Sequence, residues 1–175
     1  MENLFSHVPA PSETATPAAS SNTLQTAVYV QLDLSLEESW LAFTEYTHLW
    51  WPHQLKRDGE SYIEIGERLL LEETEGGEKI VLGETQYFAT QDVIAVQTHP
   101  GELNDAFKSG VSFVFEKESE KSSTVEICSG LIKPRDLADL ELGVSAEDLG
   151  AAQLLLSGFA RFMKTTLIVE DLSSN

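Results

Sequence analysis

Two periodicities divide the chain. Thr26–Asp33 (TAVYVQLD) alternates, with Val28, Val30 and Leu32 on one side and Ala27, Tyr29 and Gln31 on the other, which predicts a first strand. Ser35 and Glu38 follow with the spacing of a capping box. Leu36, Trp40 and Phe43 then share a face, so a helix is expected to about Tyr46, with a second helical turn over Thr47–Trp51 that stops at Pro52. Period two then returns. Tyr62–Ile65, Arg68–Thr74, Lys79–Thr90 and Val93–His99 read as strands, with Gly76–Gly77 and Thr90–Asp92 as turns. Val111–Glu118 and Ser123–Ile132 read as a further pair, Val111, Phe113 and Phe115 facing one way and Val125 and Ile127 one way on the partner. Pro100–Gly110 reads as a loop with room for a helical turn, and Lys133–Val144 as an irregular or briefly helical connection.

The period changes once more at Ser145. Through about Asp171, Leu149, Ala152, Leu156, Phe159 and Met163 recur at three- and four-residue steps, and Leu155, Phe162 and Val169 widen the stripe. Ser145 and Asp148 have capping-box spacing, so a single helix is expected, on the order of 35–40 Å long at 1.5 Å per residue. So apolar a helix needs a broad partner, and the strands supply one. The expected class is α+β: a curved antiparallel sheet of about six to seven strands wrapped around a long C-terminal helix, with two short helices after the first strand. A sheet curled round a helix leaves room for a cavity, which makes the space between them the default binding site.

Composition narrows the reading. Residues 1–23 are rich in Pro, Ala, Ser and Thr and lack apolar periodicity, so a disordered leader is expected before a single domain over 24–175. The balance of 29 acidic against 11 basic residues, a net charge of −18, argues against nucleic acid and anionic membrane as partners, since both would be repelled. The lone Cys128 allows no disulfide framework. With no basic, apolar leader and no membrane-length apolar run, the expected setting is the cytoplasm.

Candidate chemistry is sparse. His48 and His53 are five apart and have no local third ligand, so no metal or other cofactor is expected. By alternation Cys128 faces opposite to Val125 and Ile127, which suits an inert buried thiol. Glu126, Glu84, Tyr87, His99 and Arg68 lie on strands and would be the acid–base candidates of a cyclase- or hydrolase-type enzyme. Trp50 and Trp51 diverge by about 100° if both are helical, so one is expected in the core and the other at a cavity mouth or partly exposed.

Ser39–His53 (SWLAFTEYTHLWWPH) resembles the helix–turn segment of the START/SRPBCC superfamily. More narrowly, it is similar to the branch homologous to the activator of the 90-kDa heat-shock protein ATPase. Ser123–Ile127 with Ser129–Leu131 resembles that family's penultimate strand, and Gly158-Phe159 its glycine–aromatic step in the last helix. Gly66 stands where the family often has a glycine pair, here followed by Glu67. The resemblance implies a helix-grip fold over about Thr26–Leu172, in a superfamily that holds lipid carriers, receptors, cyclases and co-chaperone domains. The favoured expectation is a non-catalytic domain holding a small hydrophobic molecule against Trp40, Phe43, Trp50, Trp51, Phe113, Phe159, Phe162 and Met163. A chaperone-linked interaction module, with a chaperone or a second copy as partner, and an enzyme are the alternatives.

Overall fold

In the computed structural model, residues 25–134, 137 and 142–172 are described; the expected leader over 1–23 and part of the 133–144 connection lie outside the described residues. The elements run β1 (Thr26–Leu32), α1 (Leu36–Glu45), α2 (Thr47–Trp50), β2 (Tyr62–Ile65), β3 (Leu69–Glu73), β4 (Lys79–Ala89), β5 (Val93–Thr98), β6 (Val111–Ser119), β7 (Ser122–Ser129), α3 (Leu149–Phe162) and β8 (Leu167–Asp171). All strands join one antiparallel sheet in the order β2-β3-β4-β5-β6-β7-β1-β8. This is the expected α+β helix-grip architecture with one strand more than the six to seven read from the sequence.

Alternation sets which face is buried. Val28, Val30 and Leu32 of β1 meet Phe113, Phe115, Val125 and Ile127 under the helices in the main core. The register pairs Phe113 with Ile127 and Phe115 with Val125, so the inward faces anticipated for β6 and β7 are those observed. Cys128 points the other way, into a smaller cluster with Val93, Val114 and Ile132. Burial, and then the nearby Glu126, pushes its thiol far above the ordinary cysteine range.

The first helix starts as its sequence dictates. Ser35 Oγ accepts the Glu38 N–H at 3.3 Å, and the Glu38 carboxylate takes the Ser35 N–H at 3.0 Å. These reciprocal bonds satisfy donors that a helix start leaves open. A buried pair, Ser39 Oγ and Ser123 Oγ at 2.5 Å, then pins α1 to β7.

The C-terminal helix departs from expectation. It spans 14 residues, Leu149–Phe162, about 21 Å rather than 35–40 Å. Thr165 N–H reaches the Ala160 carbonyl at 2.9 Å and Lys164 N–H the Arg161 carbonyl at 3.2 Å, closing the helix with Lys164 in the left-handed region at φ 56°. That is a Schellman-type stop, usually marked by glycine. The chain then turns back as β8, pairing Leu167 with Val30 and Val169 with Val28. Val169 therefore belongs to the sheet, not to the helix stripe.

The helix start is also rebuilt. Ser145 Oγ accepts the Asp148 N–H at 3.3 Å, as the spacing implies, but the Asp148 carboxylate does not return the bond. Its Oδ1 accepts the buried Phe107 N–H at 2.7 Å and its Oδ2 the Ser129 hydroxyl at 2.6 Å, tying the β5–β6 loop and β7 to the head of α3.

Candidate functional site

The eight aromatic and sulfur-bearing residues singled out from the sequence converge on the helical side of the sheet. Phe43, fully buried, is the hub: its ring lies 4.5 Å from Trp50, 4.9 Å from Phe113, 5.3 Å from Phe115 and 5.0 Å from Phe159. Trp40 packs edge-on to Phe115 at 4.9 Å and to Phe88 at 5.2 Å. Separations of this size are those of direct aromatic packing. Rings therefore fill the centre between sheet and helices, and free space adjoins this cluster at its edges. Phe162 sits there, half-buried, while Met163, also half-buried, packs against the core.

The two adjacent tryptophans correct the expectation that one would be exposed, since both are buried. The 100° argument assumed that both are helical, whereas α2 ends at Trp50 and Trp51 is extended at φ −61° and ψ 130°. The bend turns both indoles inward, their centroids 5.7 Å apart. Trp50 Nε1 donates to the Phe43 carbonyl at 3.0 Å, while the Trp51 indole N–H is buried without a hydrogen-bond partner. The exposed member of the segment is Leu49, at 59% exposure.

Four spaces border this aromatic side or the strands carrying acid–base candidates. A groove of about 350 Å³ runs between α2 and α3, lined by Leu49, Trp50, Trp51, Pro52, His53, Gly158, Arg161 and Phe162. Gly158 brings the helices together: a Cβ there would sit nearer the Trp50 carbonyl oxygen than real Cβ atoms lie, and 3.4 Å from Pro52. A cleft of about 190 Å³ opens where α1 meets β2. A third groove, about 470 Å³, is lined by Glu84, Gln97, Thr98, His99, Pro100, Asp105, Ala106 and Lys108.

Two of the acid–base candidates meet and a third lies apart. His99 Nε2 lies 3.8 Å from Glu84 Oε1 beside that third groove. Glu126 lies on the face of the sheet away from the aromatic core, in a separate groove of about 700 Å³ with Tyr29, Glu116, Glu118 and Glu170, bordering Leu142. Burial and the nearby Glu116 raise the Glu126 carboxyl to about 7. Tyr29 is raised too, chiefly by burial and by its hydrogen bond to Glu170 at 3.1 Å. Among the described residues no group of histidine, cysteine and carboxylate side chains could hold a metal ion, and no helix is long and apolar enough to cross a membrane.

Sequence reasoning missed several members of these spaces. Leu49, Pro52, Gly158 and Arg161 line the α2–α3 groove, and Tyr62 and Phe88 the α1–β2 cleft. A signal for the first set was present: Leu49 precedes the tryptophan pair and Pro52 ends it, a run too apolar for a two-turn helix to bury entirely.

No protein-family model matches the chain, and no curated protein matches it. Among solved structures it is similar to an HSP90 activator from Plasmodium falciparum (TM-score 0.47, 14% identity, 82% of this chain and 99% of that one). It is similar also to an AHSA1-like protein from Aeromonas hydrophila (0.43, 11%, 79% and 92%) and to the self-sacrificing resistance protein CalC from Micromonospora echinospora (0.43, 14%, 82% and 96%). The heat-shock activator branch that the Trp40–Pro52 stretch resembles is thus represented among the structural neighbours. At these identities and TM-scores the likeness carries no functional argument.

Proposed function

We propose that the protein is a non-catalytic domain that binds a small apolar ligand where α2 meets α3. The groove between them carries the reading: about 350 Å³ falls within the roughly 300–1,000 Å³ of small-molecule sites, and its walls join apolar Leu49, Trp50, Trp51, Pro52, Gly158 and Phe162 to the polar His53 and Arg161. Trp40, Phe43, Phe113 and Phe159 form the rigid aromatic backing, and Met163, just past the end of α3, is an adaptable neighbour. The unpartnered Trp51 N–H supports a ligand with a hydrogen-bond acceptor on its apolar body, because a buried donor left alone costs about 1–3 kcal/mol. The Glu84–His99 pair lies in one groove and Glu126 in another, both away from the α2–α3 groove, which supports binding there without catalysis. The lone buried thiol fits a cytoplasmic setting.

Native mass spectrometry of the protein as purified, followed by denaturing extraction, tests this reading. A small apolar mass that is released on denaturation, and that is lost from Leu49→Glu, supports it; retention of the same mass by Leu49→Glu moves the ligand elsewhere. A second reading rests on exposed Leu41, Tyr46 and Leu49, which make the α1–α2 edge apolar to solvent. There the same groove takes an apolar side chain of a protein partner, a chaperone or a second copy of this chain. Concentration-dependent dimerisation abolished by Leu49→Glu would favour the second copy.

A further inference from the structure

The cleft between α1, β2 and β4 differs in chemistry from the three grooves described above. Its walls are Trp40, Thr44, Glu45, Tyr62, Glu64, Ile65 and Phe88. Trp40 and Phe88 stand nearly perpendicular, their planes at 75° and centroids 5.2 Å apart, so they form two walls of a corner. Tyr62 supplies the third ring. It stacks on His48 at 4.5 Å and 22°, which holds the ring in place although 46% of the residue is exposed. Two exposed carboxylates, Glu45 and Glu64, sit at the rim, and neither makes an ion pair among the described residues. The cleft also lies at the carbonyl end of α1, whose last turn carries no basic residue.

Three aromatic rings beside uncompensated carboxylates attract a cation, and the hydrogen-bonding inventory selects which kind. The Thr44 hydroxyl donates to the Trp40 carbonyl at 2.8 Å and keeps only its oxygen as an acceptor, and the ring faces offer no lone pairs. Beyond that oxygen, a primary ammonium drawn in among the rings would have acceptors only on the rim side, at Glu45 and Glu64, and would leave N–H groups facing the rings without the water they lose. An alkylated ammonium has no N–H to satisfy and is drawn to ring faces by their negative quadrupole. At about 190 Å³ the cleft falls below the range of a whole drug-sized ligand and suits a head group. We propose that this cleft binds a quaternary ammonium group, with Trp40, Tyr62 and Phe88 as the aromatic walls and Glu45 and Glu64 as the charge partners. The site is separate from the α2–α3 groove and stands whether or not that groove takes a ligand.

The test uses choline and its neutral isostere 3,3-dimethylbutan-1-ol, followed through the Trp40 indole N–H resonance of the full chain. Choline is expected to shift that resonance saturably and to bind roughly five- to tenfold more tightly than the isostere, as cation–π attraction between partly exposed and desolvated limits implies. Tyr62→Ala should weaken choline several-fold while Tyr62→Phe retains it, and Glu64→Gln should weaken it most at low salt. Both residues are exposed, so these variants leave the core intact. A trimethyllysine peptide run in parallel distinguishes sources: tighter binding of the peptide identifies a modified side chain, and tighter binding of choline a free small molecule. Equal affinity for choline and its isostere, no saturable shift with any of the probes, or indifference to Tyr62→Ala overturns the proposal.

Discussion

Replacing Gly158 by alanine should destabilise the protein, although the same change in an ordinary exposed helix stabilises. Propensity alone favours alanine by up to about 1 kcal/mol. Here the added methyl would lie closer than 3.0 Å to the Trp50 carbonyl oxygen, a backbone atom that no rotamer change can move. The helices must part. A radial gap of about 0.5–1 Å forfeits a quarter to a half of the dispersion energy of each contact across it. The contacts at risk include Trp50 with Phe159 at 5.4 Å. Overpacking of this kind costs about 1–3 kcal/mol, so a net loss is expected after the propensity gain. With about 2–4 °C of Tm per kcal/mol for a chain of this size, the variant should melt a few degrees lower, up to about 10 °C. Gly150→Ala is the matched control, since nothing lies within 4 Å of a Cβ there. Calorimetric or circular-dichroism melts decide. A Gly158→Ala variant that melts at or above the wild type refutes the claim that this glycine sets the α2–α3 approach.

Further outcomes follow from the same geometry. Glu126, with its carboxyl raised to about 7, contributes stability that is complete below its unfolded value, ordinarily 4.5, and is lost as pH rises through 7. Glu126→Gln should therefore gain on the wild type in urea denaturation at pH 8 relative to pH 4.5, and a pH-independent difference contradicts the assignment. Cys128, buried with its thiol held protonated, should resist iodoacetamide at pH 8 in the native protein and react fully in urea; rapid native labelling would show the cluster with Val93, Val114 and Ile132 to be open. Asp148→Ala strands the buried Phe107 N–H and should cost about 1–3 kcal/mol in chemical denaturation, against no change if that bond is incidental.

Strands were legible in the sequence where one face is apolar and the other polar. In β6 and β7 the alternation of Phe113, Phe115, Val125 and Ile127 dictated both existence and facing. The end of α3 was hidden because its stop uses Lys164 in a left-handed conformation, where a glycine would have announced it. Leu167 and Val169 extend a helical stripe as well as they fill alternate positions of a strand, so periodicity alone could not choose. The run Thr165-Thr166-Leu167-Ile168-Val169, rich in β-branched residues, was the available sign of a strand. The aromatic residues of the candidate site were legible as a set because aromatics at helical and strand spacings must meet in one core. Their division into packed interior and groove wall was not, since it depends on the bend at Trp51 and on the close approach at Gly158. Tyr62 and Phe88 were read only as strand residues; strong curvature of the sheet brings them to one cleft with Trp40.

The most direct test of the central claim follows the three indole N–H resonances of the full chain during titration with N-phenyl-1-naphthylamine, a neutral apolar probe that the net charge of −18 does not repel. Binding in the α2–α3 groove should shift the Trp50 and Trp51 signals saturably and leave that of Trp40 in place, with the response lost in Leu49→Glu. A saturable shift confined to Trp40, or no shift of any indole at saturating probe, would contradict ligand binding between α2 and α3.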